Sequence, residues 1–118
     1  MLRLSHKKLD VWKQSMFLIK KVYIFTKNLP SDEKFNLVSQ MRRSAISVAS
    51  NIAEGLSRTT NKEKQRFIEI SRSSLVELDT QFEACLEIGY SSIDDLSEFE
   101  DLLNHIFAML ANLMKKLD

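Results

Sequence analysis

Gln40–Arg58, with the sequence QMRRSAISVASNIAEGLSR, has the three- and four-residue spacing of one amphipathic helix. Its apolar side, together with the preceding Val38, consists of Met41, Ala45, Val48, Ile52 and Leu56. Its polar stripe consists of Gln40, Arg43, Ser47, Asn51, Glu54 and Arg58. Exposed helix sides are usually rich in Lys and Glu, whereas Ser, Asn and Gln are poorer helix formers that suit close, hydrogen-bonded contacts. We therefore predict that the polar stripe is a contact surface.

The composition predicts an all-α protein. The 118 residues include only two glycines and one proline, too few to punctuate hairpins or a sandwich. Periodic apolar residues predict four helices, at about 5–28, 32–56, 60–88 and 92–117. The apolar series of the third is Phe67, Ile70, Leu78, Phe82 and Cys85. The fourth has an unbroken bundle seam: Leu96, Phe99, Leu103, Ile106, Leu110, Leu113 and Leu117. Short connections between helices of similar length predict one domain over 1–118, an up-down-up-down antiparallel four-helix bundle.

Local signals predict where these helices begin and end. Ser31 or Asp32 is positioned to cap the second helix, and Thr60–Glu63 has the form of a capping box for the third. Gly89 ends the third helix. Gly55 either forms a left-handed cap or permits close approach of another backbone. Before the fourth helix, the candidate caps are Ser91 and Ser92.

The sequence contains no catalytic or metal-binding signature. Its two glycines are isolated, so no phosphate-binding loop is present. Neither His6 nor His105 follows a glutamate at the spacing of a di-iron bundle, and Cys85 lies in an apolar series that favours an inert, buried thiol. We expect a non-enzymatic protein without cofactor, metal or small-molecule substrate. No apolar run is long enough to span a membrane, and the lone cysteine fits a reducing cytoplasm.

Charge is distributed unevenly along the chain. Residues 1–60 carry eleven Lys and Arg against four Asp and Glu, whereas residues 61–118 carry six against twelve. This polarity suits an acidic partner such as RNA, a neighbouring subunit, or neutralisation within the chain. The candidates for phosphate contacts are Arg42, Arg43, Arg58, Lys62 and Arg66. Solvated helix faces have a similar composition.

The predicted third helix carries a second polar row, Ser73, Glu77 and Gln81. Arg43 or Arg58 against Glu77, with Asn51 and Gln81 completing hydrogen bonds, would form a network with the polar stripe. The pattern fits an interface between subunits and a polar layer within one chain equally well. The candidate residues for either arrangement are Gln40, Ser47, Asn51, Glu54, Glu77 and Gln81.

Two segments, QMRRSAISVASNIAEG and SRTTNKEKQRFIEISRSSLVELDTQFEACLEIGY, resemble a family of small four-helix bundles encoded in intervening sequences of bacterial large-subunit ribosomal RNA genes. The resemblance covers nearly the whole chain, from Leu9–Trp12 onward. Its most specific part is NIAEG at 51–55, and further matching positions are Gln40, Arg43, Arg58, Ser74, Glu77, Gln81, Gly89 and Tyr90.

This resemblance implies a bacterial homo-oligomer, most simply a ring-like homopentamer. The related accessory protein of diversity-generating retroelements is a pentameric barrel that binds nucleic acid and a reverse transcriptase. By that similarity, RNA or a ribonucleoprotein is the expected partner, and a protein-interaction scaffold that binds no nucleic acid is the alternative. The near-neutral charge of this chain, +1, differs from the strongly basic retroelement protein.

Overall fold

The computed structural model describes all 118 residues and contains four α-helices and no strand. The helices are α1 (Asp10–Thr26), α2 (Leu37–Leu56), α3 (Asn61–Ile88) and α4 (Ser97–Lys116). Three short 3-10 turns lie at Ser5–Lys8, Ser31–Glu33 and Asp94–Leu96. The all-α prediction is confirmed.

Each helix packs against the next, and α1 also packs against α4. Two hydrogen bonds show which turns share an end of the molecule. At one end, the Tyr90 hydroxyl donates to the Glu33 carboxylate at 2.8 Å. At the other, the Gln65 amide donates to the Leu117 carbonyl at 2.7 Å. Consecutive helices therefore run in opposite directions, and the 44 Å long dimension of the molecule matches the length of about 42 Å expected for the 28 residues of α3.

The core is formed by the apolar sides of all four helices. The largest side chains with no exposed surface include Leu18, Met41, Ile52, Ile68, Leu78, Ile106 and Leu110. Near the α3–α4 turn, the rings of Phe25, Phe82 and Phe99 meet at centroid distances of 4.5 to 5.5 Å. Within α3 the inward isoleucine is Ile68, whereas Ile70, which the sequence pattern placed in the apolar series, is 38% exposed.

Three helices begin later than the periodicity indicated, because each is preceded by a 3-10 turn. Leu9 is extended, with φ of −77° and ψ of 136°, so α1 begins at Asp10 rather than near Ser5. The separate turn allows His6 to be buried with its ring 5.3 Å from that of Trp12. Asn36, with φ of −128° and ψ of −102°, similarly delays α2 to Leu37, so neither Ser31 nor Asp32 caps it.

The capping signal of α3 agrees with the structure, whereas neither Ser91 nor Ser92 caps α4, whose N-cap residue is Leu96 and has no side-chain cap bond. The Thr60 hydroxyl accepts from the Glu63 amide at 3.2 Å, at the start of α3. Before α4, the Ser92 hydroxyl accepts from the Asp95 amide at 3.2 Å, while the Asp95 carboxylate accepts from the Ser92 amide at 3.0 Å. Hydrogen bonding to its carboxylate, first from the backbone and then from the side chain of Ser92, lowers the pKa of Asp95. The Ser92–Asp95 bonds lie at the 3-10 turn Asp94–Leu96, and α4 itself begins after that turn, at Ser97.

The two glycines have different structural roles. Gly89 has φ of 92° and ends α3 in the left-handed conformation. Gly55 is buried inside α2, where an added Cβ would lie 2.9 Å from Phe67 Cβ and 3.2 Å from the Lys64 carbonyl oxygen. Of its two predicted roles, close approach is therefore the one that the structure supports.

Candidate functional site

A layer of hydrogen bonds joins α2 to α3. This polar layer consists of Ser44, Ser47, Ser71, Ser74 and Glu77. The Ser47 and Ser74 hydroxyls are 2.8 Å apart, and the Ser71 hydroxyl donates to a backbone carbonyl of α2, that of Val48, at 2.7 Å. The Ser44 hydroxyl donates to the Glu77 carboxylate at 3.1 Å. Serine side chains are short, so they permit a close helix approach and still satisfy their hydroxyls.

Only part of the predicted network crosses between the helices. Ser47 and Glu77 do so, whereas Asn51 donates to the carbonyl and hydroxyl of Ser47 within α2, both at 2.9 Å. Glu54 pairs with Arg58, which lies two residues beyond the end of α2, at 2.8 Å. Gln40 is exposed and donates to the side chain of Asn36 just before α2 at 3.1 Å.

Two members of the predicted network differ from the sequence pattern. Ser73 is exposed, and the adjacent Ser74 supplies the contact with α2. Gln81 is 7% exposed, and its amide nitrogen lies 3.5 Å from the Glu77 carboxylate while its amide oxygen has no hydrogen-bond partner. An unpaired buried amide oxygen is unfavourable, which makes this position less well satisfied than the serine pairs.

The structure separates the five predicted phosphate-binding residues into two groups. Arg42 is half-buried: its Nε donates to the Thr26 hydroxyl at 2.9 Å, and its guanidinium lies 4.3 Å from the Tyr23 ring centroid. It therefore joins α1 to α2. Arg43 is exposed and forms no ion pair, and it lies about 22 Å along the helix from Arg58 at 1.5 Å per residue.

The other three lie around the α2–α3 turn. Arg58 and Arg66 both approach the Phe67 ring, with guanidinium carbons 4.7 and 5.9 Å from its centroid. Lys62, in the first turn of α3, is exposed. Arg58 also pairs with Glu54, which offsets part of its charge.

The antiparallel fold adds two cations that the sequence interpretation missed. The bond from Gln65 to Leu117 brings the end of α4 to the start of α3, so Lys115 and Lys116 lie at the same end as the α2–α3 turn. We call Arg58, Lys62, Arg66, Lys115 and Lys116 the basic end. The predicted up-down topology already implied this, because it places the C-terminus beside the second turn.

The remaining titratable groups do not form a catalytic arrangement. No group of three or more His, Cys, Asp and Glu side chains is placed to hold a metal ion. Cys85 is buried 4.0 Å from the Met41 sulfur, and burial, with a smaller effect of Glu33, raises its thiol pKa, which disfavours the reactive thiolate. Burial and the nearby Lys7 lower the pKa of His6.

No helix has the length and apolar character needed to cross a membrane. The fold and its polar layer define a helical-bundle protein without a recognisable catalytic centre. More specifically, residues 7–112 match the model of the 23S rRNA-intervening sequence protein family, and the chain belongs to that family. A comparison with curated proteins gives no match.

Among solved structures, the chain is similar to a protein of unknown function from the S23 ribosomal protein family of Bacteroides thetaiotaomicron VPI-5482. The TM-score is 0.81 with 19% sequence identity, over 89% of this chain and 95% of that chain. At this identity the likeness establishes the shared fold alone.

Proposed function

We propose that this chain is a non-enzymatic, self-associating bundle protein that binds RNA through its basic end. The observation that carries the proposal is the convergence of five cations from the α2–α3 turn and the end of α4. Lysine and arginine side chains that bind phosphates release counterions from nucleic acid, and this release favours binding whatever the base sequence.

The Phe67 ring, which has two guanidinium groups close to it, adds a feature that suits RNA. Arginine planes and aromatic rings stack on unpaired bases, whereas phosphate contacts alone do not distinguish paired from unpaired nucleotides. Phe67 is half-buried, so one part of the ring packs on the bundle. The guanidinium groups of Arg58 and Arg66 lie next to the ring. Single-stranded RNA is therefore the first ligand to test.

Self-association is the second part of the proposal. Its support is the family resemblance, which implies a ring-like homopentamer. The lone cysteine fits a reducing compartment and so favours a cytoplasmic location. Several basic ends held in one ring would bind a single RNA with greater avidity than one bundle could achieve.

Salt dependence of RNA binding tests the first part. The probe is a fluorescein-labelled, 20-nucleotide single-stranded RNA of mixed sequence, followed by fluorescence anisotropy. With about five phosphate contacts, affinity should fall roughly a hundredfold between about 50 and 200 mM salt, since the logarithmic slope for single strands is about −0.7 per contact. K62A/K115A/K116A should reduce that slope by about two.

Lys34→Ala is the matched control for single lysine substitutions within that set. Lys34 is exposed in the connection between α1 and α2, at the opposite end of the bundle. It should leave both affinity and slope unchanged, whereas Lys62→Ala should lower both. If wild-type protein binds no RNA at about 50 mM salt, the RNA proposal fails and the scaffold without nucleic acid takes its place.

A further inference from the structure

An apolar groove runs between α3 and α4. One section has a volume of about 380 Å³, and its apolar lining includes Phe82, Leu86 and Leu103. An adjoining section of about 240 Å³ continues it past Val76 and Phe107. Val76 is 51% exposed, so apolar surface remains accessible along the α3–α4 groove, while the Arg72 guanidinium lies 4.8 Å from the ring centroid of the half-buried Phe107.

Carboxylates form the rim of the α3–α4 groove. Asp79 and Glu83 stand on the α3 side and Glu100 on the α4 side. All three are exposed, and none belongs to the three ion pairs of the chain, which join Lys21 to Glu98, Arg58 to Glu54 and Arg72 to Glu69. The groove thus combines apolar surface with three acidic groups that have no cationic partner in the same chain.

The outer side of α1 has the complementary character. Lys13, Phe17, Lys20, Ile24 and Lys27 follow one another at helical spacing opposite the buried residues of the helix, and we call them the lysine stripe. Phe17 is 43% exposed and Ile24 is 51% exposed. None of the three lysines forms an ion pair within the chain.

The two surfaces also match in length. Phe17 and Ile24 are seven residues apart, or about 10 Å along the helix, whereas the two groove sections extend over about 17 Å of α3 from Leu75 to Leu86. Both apolar side chains therefore fit within the groove at the same time, with lysines on either side of them.

We propose that the lysine stripe of one copy docks in the α3–α4 groove of a second copy. This inference rests on the self-association in the proposed function and names the surfaces that meet. The two surfaces differ, so the interface is heterologous: the copy that donates its stripe keeps a free groove, and the copy that donates its groove keeps a free stripe. Such an arrangement closes into a ring or continues as a chain, whereas a two-fold dimer would pair identical surfaces.

The size of the contact predicts its strength. One helix side about 21 Å long and 10 Å wide covers much less than the roughly 800 Å² per partner of a standard stable interface. Association through one such contact is therefore weak and concentration-dependent. Closure into a ring adds one interface without another loss of translational freedom, so the closed form should predominate over open intermediates.

Charge-reversal variants, alone and mixed, test the proposal, and sedimentation equilibrium measures their association. Protein concentrations of about 5 to 500 μM cover dissociation constants in the micromolar range. K20E/K27E should weaken association at least tenfold, because its stripe faces an acidic rim. E83K/E100K should also weaken association at least tenfold, because the lysine stripe then faces a basic groove rim. An equimolar mixture should associate again as alternating chains or even-membered rings, since each altered surface meets an opposite charge only in the other variant.

K8E/K34E is the matched control, because both lysines are exposed and lie on neither surface. It should associate as wild type does. F17S/I24S provides a variant without charge reversal, and it should also weaken association at least tenfold. Circular dichroism should show unchanged helicity for the α1 variants, whose altered side chains all point to solvent.

Three results would overturn the proposal: a wild-type protein that remains monomeric, α1 variants with wild-type mass, or a mixture that fails to associate. If K20E/K27E lost RNA affinity while its mass stayed unchanged, the lysine stripe would be an RNA surface instead. Failure of the RNA proposal is separable, because K62A/K115A/K116A alters RNA binding and leaves the sedimentation of the free protein unchanged.

Discussion

Helix α3 has two neighbours, and it packs on them in different ways. Against α2 it presents Ser71 and Ser74, and the helices approach closely enough for hydroxyls to bond across the boundary. Against α4 it presents Phe82 and Leu86, and an open groove remains above them. Small side chains with satisfied polar groups thus give the tighter contact, whereas large apolar side chains leave surface available for a partner.

The largest expected difference between these two sides comes from adding bulk. Ser71→Leu places a large side chain where Ser71 has no exposed surface and removes its bond to the Val48 carbonyl. We expect the free energy of unfolding to fall by about 3 kcal/mol, mainly through overpacking and in part through loss of this hydrogen bond. Urea denaturation at fixed protein concentration measures it.

Val76→Leu is the matched substitution on the α4 side of the same helix. Val76 is half exposed beside the groove, so the change in stability should stay within about 0.5 kcal/mol. Equal losses for the two variants would mean that the α2–α3 boundary is no tighter than the α3–α4 boundary.

The next largest effect concerns backbone approach at Gly55. In Gly55→Ala the new methyl group would lie 2.9 Å from Phe67 Cβ, so the helices must separate. Alanine favours helix by about 1 kcal/mol, but overpacking outweighs this, and we expect a net loss of about 1 to 2 kcal/mol. Thermal and urea unfolding both report it.

Gly89→Ala separates steric crowding from backbone preference. An added Cβ at Gly89 has no atom within 4 Å, so its expected loss of about 1 kcal/mol arises from the left-handed φ of 92° alone. Because Phe67 also contacts Arg58, Gly55→Ala should weaken RNA binding, whereas Gly89→Ala should not. A Gly55→Ala protein more stable than wild type would contradict close packing.

A smaller effect measures one hydrogen bond of the polar layer. In a double-mutant cycle, Ser47→Ala and Ser74→Ala should show a coupling energy of about 0.5 to 1 kcal/mol, because their hydroxyls are 2.8 Å apart. The control cycle uses Ser50→Ala and Ser73→Ala, two exposed serines of the same helices, and should give about zero. Zero coupling in both cycles would show that the layer fills space without adding bond energy.

The sequence predicted the elements more accurately than their beginnings. Periodicity identifies four helices because each buries one side, and Gly89 and Thr60 mark boundaries through backbone preferences that act locally. Periodicity predicts that α1 and α2 begin too early, because residues in a 3-10 turn have nearly the same apolar spacing as residues in an α-helix. It also selects Ile70 over Ile68, because both fit short stretches of the pattern and only packing against α2 and α4 decides between them.

The candidate site was less predictable, because its cations depend on distant partners. Nothing near Arg42 in sequence indicates that Tyr23 and Thr26 hold its guanidinium, and only the packing of α1 on α2 reveals it. Serine spacing indicated a polar contact on α2, but helical spacing alone did not choose between Ser73 and Ser74 as its partner. Predicting that Lys115 lies at the basic end would have required combining the antiparallel topology with the charge pattern.

The smallest effect concerns one hydrogen bond that holds the α3–α4 turn, which lies beside the open groove. The Tyr90 hydroxyl donates to the Glu33 carboxylate at 2.8 Å; this bond, with burial and the nearby negative charge, raises the pKa of Tyr90 to about 12 from 10.0. Because the folded state retains this proton more strongly, the stabilisation is fully present below about pH 10 and is lost as the pH rises towards 12. The difference in unfolding free energy between wild type and Tyr90→Phe should therefore be constant from pH 7 to 9 and shrink above pH 10. Parallel pH profiles for the two proteins would show that the bond to Glu33 adds no stability and that Tyr90 contributes only packing.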